Sequence, residues 1–257
     1  MSKLSLWKTI LLLCVFCAAG AIGSPADTFK TLLSFNGTNG AEPVTVLVQG
    51  TDGNFYGMTG AGGANNAGTV FKITPTGTLT TLYDFCSQPN CTDGANYPFT
   101  GGLVQATDGN FYGTAQEGGA NGGGTVFKIT PAGKLTTLAT VGGYPSRALV
   151  QATDGNFYGT TARGGTIFKM TPEGKLTTLG STCCYLYAGL VQATDGNSYG
   201  TTYLDGGAYG EGSVYEITQR GTVTTLYSFC AETGCPDGAA PIAGLVQGTD
   251  GTLYGTT

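Results

Sequence analysis

The chain of 257 residues carries 16 Asp+Glu, 11 Lys+Arg, eight cysteines and no histidine, and these numbers bound its chemistry. Without an imidazole there is no His base, no His metal ligand and no Ser-His-Asp relay. Acid–base work on a glycosidic bond would need paired carboxylates, for which Glu117, Asp205 and Glu211 stand in loops, but their spacing singles out no pair. Asp52, Asp108, Asp154, Asp195 and Asp250 recur within Thr-Asp-Gly. They lack the alternating carboxylates of a calcium loop and read as turn formers, so no metal is expected there. The segments FCSQPNC and FCAETGC place Cys86 with Cys91 and Cys230 with Cys235 at one spacing, each after an aromatic strand end and before Asp-Gly. In an oxidising compartment each pair is expected to close its own loop. A four-thiolate zinc site usually takes tighter CxxC pairs and is the weaker alternative. Pairing of the adjacent Cys183 and Cys184 stays open: with each other under strain, across loops, or between chains. No cofactor is expected.

The compartment follows from the first residues, MSKLSLWKTILLLCVFCAAGAIGSPADTF. Lys3 and Lys8 precede or flank an apolar run from Ile10 to about Ala21, and Ala21 with Gly23 offers small-x-small cleavage after Gly23, with Ala26 as a later alternative. Residues 1–23 are therefore expected to be a secretory signal peptide, which removes Cys14, Cys17 and the single tryptophan, Trp7. Leucines before Cys14, and Val15 and Phe16 before Cys17, argue against lipidation. No later stretch is long and apolar enough to span a bilayer. A net charge of −5 is the wrong sign for phosphates, which sets aside nucleic acid and anionic membrane surfaces as partners.

Forty-five glycines, 40 % hydrophobic residues and only 11 % charged residues describe a packed, turn-rich chain, not a disordered or collagenous one. Leu-Val-Gln-x-Thr-Asp-Gly occurs five times, starting at Leu47, Leu103, Leu149, Leu190 and Leu245. Each copy runs on through Tyr-Gly-Thr or a variant to a Gly-rich stretch. In the first four copies a Val-Phe-Lys-Ile-type strand, a Gly-bearing turn and Leu-Thr-Thr-Leu or a variant follow. Four short antiparallel strands per copy are predicted, with Asp-Gly as a two-residue primed hairpin turn and Thr-Pro-x-Gly as the second turn. Four strands in about 45 residues match a propeller blade, covered on both faces. Tyr56, Tyr112, Tyr158, Tyr199 and Tyr254 are then expected to pack between blades. The predicted fold is all-β: a β-propeller-like array over residues 24–257 of about four complete blades plus a partial terminal one. If Thr31–Phe35 forms a strand the count is 19 where five blades need twenty, which favours a fragment of a longer array over a ring closed by that strand.

The segments LVQATDGNFYGTT, GTVFKITPAGKLTTL and DGANYPFTGGLVQ resemble the GloVer tandem repeat of choice-of-anchor secreted bacterial proteins, over nearly the whole of residues 24–257. The resemblance implies an exported or surface-located propeller whose relatives have no established enzymatic activity. No anchor signal is visible in this chain.

With the LVQ strand innermost, the TDGN and TPxG turns share one near-uniform face, and the Gly-rich and inter-blade loops share the other, variable one. Candidate binding residues there are Asn65, Asn66, Glu117, Asn121, Tyr144, Arg147, Arg163, Asp205, Tyr209 and Glu211. Gln116, Tyr203, Asp93, Tyr97, Tyr185, Tyr187 and Asp237 share that face. Such side chains suit a glycan or a surface protein, and exposed loops also carry them with no ligand at all. The leading expectation is a secreted or cell-surface non-enzymatic repeat protein serving binding or surface structure. A polysaccharide-acting extracellular propeller enzyme is the alternative, and a sensor ectodomain a third that lacks a membrane span here.

Overall fold

The computed structural model describes residues 30–43, 45–95, 101–182, 185–204 and 208–257. The expected signal segment, Tyr97, Cys183, Cys184 and Asp205 lie outside them. The strands below all belong to the unit Leu33–Thr257.

Each complete repeat folds as one four-stranded antiparallel sheet in sequence order. The first contains β1 (Val48–Gln49), β2 (Phe55–Thr59), β3 (Thr69–Ile73) and β4 (Leu79–Asp84); the second β5 (Leu103–Gln105), β6 (Phe111–Ala115), β7 (Thr125–Ile129) and β8 (Leu135–Thr140). The third contains β9 (Val150–Gln151), β10 (Phe157–Thr160), β11 (Thr166–Met170) and β12 (Leu176–Ser181); the fourth β13 (Val191–Gln192), β14 (Ser198–Thr202), β15 (Ser213–Ile217) and β16 (Val223–Ser228). A two-stranded fifth sheet pairs β17 (Val246–Gln247) with β18 (Leu253–Tyr254). The result is a β-propeller-like series of sheets. The described residues hold 18 strands and not 19, because Thr31–Phe35 forms no ladder; Phe35 instead packs edge-on against Phe71, 5.1 Å between centroids.

Burial explains the near-continuous apolar third strands. Val70, Phe71 and Ile73 in β3 and Val126, Phe127 and Ile129 in β7 are buried, as a blade covered on both faces requires. The core is accordingly divided into three layers between consecutive repeats. One joins Tyr56, Met58 and Val70 to Phe111 and Phe127; the next joins Tyr112 and Val126 to Phe157 and Phe168; the third joins Tyr158 and Ile167 to Tyr215 and Ile217. Tyr56 stacks on Phe111 and Tyr112 on Phe157, with centroids 4.0 and 4.1 Å apart.

A polar ladder runs beside these layers. The amide oxygens of Gln105, Gln151, Gln192 and Gln247 accept the backbone N–H of Thr51, Thr107, Thr153 and Thr194 respectively, at 2.9 Å in every case. Each glutamine thus ties the start of its own repeat to the first turn of the repeat before.

The turns correct one expectation. The Gly53 N–H bonds the Gly50 carbonyl, and the Gly50 N–H bonds the Asn54 carbonyl, so the loop has three residues, Thr51 to Gly53. Only Gly53 takes a left-handed φ, +79°, and Asp52 does not. This is a type I turn followed by a glycine bulge, where a two-residue primed turn would place both central residues at positive φ. Asp52 keeps an ordinary backbone because its carboxylate captures the Asn54 N–H at 3.1 Å. The bonds Cys86–Cys91 and Cys230–Cys235 are both formed, each closing its own loop.

Candidate ligand-binding site

The repeated aspartates are saturated by their own hairpins. Asp108 receives Tyr112 Oη at 3.0 Å, Asn110 Nδ2 at 2.9 Å and Lys128 Nζ at 2.7 Å; Asp154 receives Tyr158, Asn156 and Lys169 in the same way. Burial works to raise the Asp154 carboxyl, but the donors from Lys169, Asn156 and Tyr158 outweigh it and hold the group near about 2. The same balance holds Asp108 below the usual carboxylate range. Tyr56, desolvated and bonded to Asp52, is pushed up to about 12. Oxygens turned on three donors have little left for a cation, which is the structural sense of this face.

The opposite face is built differently. In each complete repeat the loop between the second and third strands is clasped by backbone bonds to the loop that precedes the repeat. Ala41 and Ala61 exchange two such bonds, as do Ala95 and Glu117; Ala162 N–H bonds the Tyr144 carbonyl at 2.7 Å and Tyr203 N–H the Tyr185 carbonyl at 3.1 Å. Counted from Tyr56, Tyr112, Tyr158 and Tyr199, Ala61 and Glu117 are the fifth residue on and Ala162 and Tyr203 the fourth, so the bonds recur at neighbouring positions and hold the two loops by their backbones whatever their side chains. The first clasp offers two alanines, the second Glu117, the third Tyr144 and the fourth two tyrosines.

The clasp side chains of the second, third and fourth repeats, Glu117, Tyr144, Ala162, Tyr185 and Tyr203, with neighbours, surround a cavity of about 760 Å³. Gln116 and Glu117 come from the second repeat, Ala162 and Arg163 from the third and Tyr203 from the fourth, while the inter-repeat loops supply Tyr144, Arg147, Tyr185, Tyr187 and Ile242. Tyr185 and Tyr187 are near parallel at 5.7 Å, and Tyr203 meets Tyr187 edge-on at 5.2 Å. The Arg163 guanidinium lies 5.0 Å from the centre of the Tyr144 ring. Arg147 Nε donates to the Tyr187 carbonyl, which braces one loop against the next. Gly143 makes the third clasp possible: at φ +91° its carbonyl accepts the Arg163 N–H at 2.8 Å, and a Cβ there would collide with the Arg163 carbonyl oxygen. Arg147 and Ile242 also line a neighbouring hollow of about 370 Å³.

Of the ten candidate binding residues, the structure brings four to this cavity: Glu117, Tyr144, Arg147 and Arg163. Asn65 and Asn66 serve the backbone, Asn65 Nδ2 donating to the Phe85 carbonyl beyond β4 at 2.9 Å and Asn66 Oδ1 accepting the Gly62 N–H of its own loop at 3.2 Å. Asn121, Tyr209 and Glu211 do not line the cavity, and Asp205 lies outside the described residues. Asp93 and Asp237 brace the disulfide loops, accepting from Tyr83 and Tyr227 at 2.7 and 2.6 Å. Ala162 and Ile242 were missed by sequence reasoning, since nothing in their residue types points to a ligand. Glu117 is the one carboxylate among the described lining residues, so two-carboxylate hydrolysis at this place lacks its second member there.

The chain belongs to the Gloeobacter/Verrucomicrobia repeat family, whose profile matches residues 20–144 and 90–257. No curated protein sequence matches it. Among solved structures it is similar to virginiamycin B lyase from Staphylococcus aureus, with a TM-score of 0.58 and 19 % identity over 82 % of this chain and 61 % of that one. It is also similar to the extracellular domain of BT4673 from B. thetaiotaomicron, assigned to a hybrid two component system: TM-score 0.57, 12 % identity, 82 % of this chain and 26 % of that one. The chain thus spans about three fifths of the first of these and about a quarter of the second, and at such identities the likeness is one of fold.

Proposed function

We propose that this chain is an exported, non-enzymatic binding module that holds a glycan in the tyrosine-walled cavity of its loop face. The observation that carries the reading is the clasp. A loop-to-loop backbone clasp recurs in all four complete repeats, and around the cavity the residues that make it include Glu117, Tyr144, Tyr185 and Tyr203. Rigid aromatic faces at fixed positions are what stacking on sugar rings uses, and the volume lies within the ~300–1,000 Å³ of small-ligand sites. Export is supported by the two disulfides and by an N-terminal segment of signal-peptide composition, for which cleavage after Gly23 is proposed. The same cavity would serve the alternative, an enzyme acting on polysaccharide, only with catalytic groups beyond Glu117. A glycan array and a hydrolysis screen on the secreted protein separate the two. Retention of a glycan with its chain length unchanged is expected, and release of shortened or unsaturated products would overturn the non-enzymatic reading.

A further inference from the structure

The charges around this cavity are not those of the rest of the chain. The net charge is −5 and the sequence contains three arginines, Arg147, Arg163 and Arg220; two of the three line one cavity. Of the described cations outside the cavity, Lys128 is paired with Asp108 at 2.7 Å and Lys169 with Asp154 at 2.8 Å. Neither Arg147 nor Arg163 has an ion-pair partner among the described residues. Both are nonetheless held. Arg147 is fixed through Nε to the Tyr187 carbonyl, with no described residue bonded to its terminal N–H groups, and Arg163 is laid over the Tyr144 ring. Guanidinium groups oriented in advance lose little side-chain freedom when they meet a planar anion, and their paired N–H groups match a carboxylate.

Resting on the glycan-binding reading above, the geometry points to an acidic saccharide as the ligand: a sugar chain whose ring carboxylates are taken by Arg147 and Arg163 while its ring faces lie against Tyr185, Tyr187 and Tyr203. The neighbouring hollow, which shares Arg147 and Ile242 with the main cavity, gives room for more than one sugar unit. Glu117 faces the same space with no hydrogen bond from the described residues to its carboxylate. It repels an anion, so it sets a limit on affinity that the arginines exceed.

The test is calorimetric titration of the full mature chain with tetragalacturonate, with a neutral glucose tetramer, and with tetraglutamate as an acidic non-sugar. Tetragalacturonate is expected to bind, weakening as salt is raised, while the other two bind at least tenfold more weakly. Arg163→Gln should weaken tetragalacturonate by about tenfold or more, the equivalent of one lost charge-assisted contact, whereas Glu117→Gln should strengthen it severalfold. Circular dichroism of both variants must match the parent for the comparison to count, and Arg147→Lys, which keeps the charge but loses the fork, supplies an independent reading. Equal binding of the neutral and acidic tetramers, unchanged in Arg163→Gln, would overturn the acidic-ligand inference and leave the binding module intact. Equal binding of tetraglutamate would show charge alone at work and overturn the saccharide. No binding of any glycan by a folded chain would sink both readings.

Discussion

Tyr215 should be worse than phenylalanine at its own position. In β3, β7 and β11 the equivalent residue is Phe71, Phe127 or Phe168, and each ring lies across a glycine of the strand before it. In the fourth repeat the ring lies across Gly200, and its phenolic oxygen sits 2.5 Å from where a Cβ on that glycine would be. The hydroxyl is buried, and no described residue hydrogen-bonds it. Burial pushes its pKa above the ordinary phenol value, the direction expected of an oxygen with no donor nearby to stabilise its anion. Leaving such a group unsatisfied costs about 1–3 kcal/mol, while a void the size of one oxygen costs little in lost contact. Tyr215→Phe should therefore stabilise the chain by about 1 kcal/mol or more, and chains of this size gain ~2–4 °C in melting temperature per kcal/mol. Calorimetric melting together with urea unfolding at neutral pH measures it, and glycan binding should be unchanged because Tyr215 lies in the core between repeats. A loss of melting temperature in Tyr215→Phe would mean that the hydroxyl has a favourable partner, and the reasoning would fail.

Other expectations follow from the same geometry. Gly143→Ala should keep the fold but weaken glycan binding by about tenfold, because the Arg163 carbonyl must move; unchanged titration curves would dissociate the clasp from the site. In the fourth repeat Glu216 stands where Lys128 and Lys169 stand in the second and third, opposite Tyr199 in the ladder and bridged to Asp195 through Asn197 and Tyr199. Glu216→Lys should give a third Asp–Lys pair and stabilise by up to ~1 kcal/mol, an effect that added salt shrinks. Because the folded-state pKa values of Asp108 and Asp154 are held down, their contribution is complete above the unfolded value of ~3.9 and is lost as pH falls toward about 2. The melting temperature should accordingly drop between about pH 5 and pH 2, with a shallower acid limb in Asp154→Asn; equal slopes in both proteins would contradict this. Opening Cys86–Cys91 removes a loop constraint worth only about 2 kcal/mol, so a Cys86→Ser, Cys91→Ser variant should stay folded and melt somewhat lower.

The repeat and its four strands are legible in the sequence because the same wording recurs and each word maps to one strand or turn. The turn type is not: Asp-Gly suits a two-residue or a three-residue loop equally, and the choice depends on whether Asn54 joins the ladder, which the spacing leaves open. On the loop face, residue type pointed to Glu117, Tyr144, Arg147 and Arg163, where polar or aromatic side chains interrupt a glycine-rich run. It points equally to Asn65 and Asn66, whose amides are taken up by backbone groups, the Phe85 carbonyl and the Gly62 N–H. Nothing in a linear pattern separates an asparagine whose amide is bonded to the protein backbone from one that faces a ligand. The clasp was invisible for a different reason: its bonds are between backbone atoms of residues about 20 apart, and backbone groups carry no residue label.

The glutamine–threonine ladder bears on how such a chain changes over time. Every described junction uses the same glutamine amide against the same threonine N–H and hydroxyl, both from the segment that recurs, so this joint is common to all the repeats. Copying or deleting a whole unit leaves this polar joint already in place. Blade number is then free to drift by duplication, while the loops on the far side diverge one at a time. A scaffold of this sort separates the heredity of its frame from the heredity of its specificity: the frame is inherited as a word, and the specificity is edited in the spaces between words.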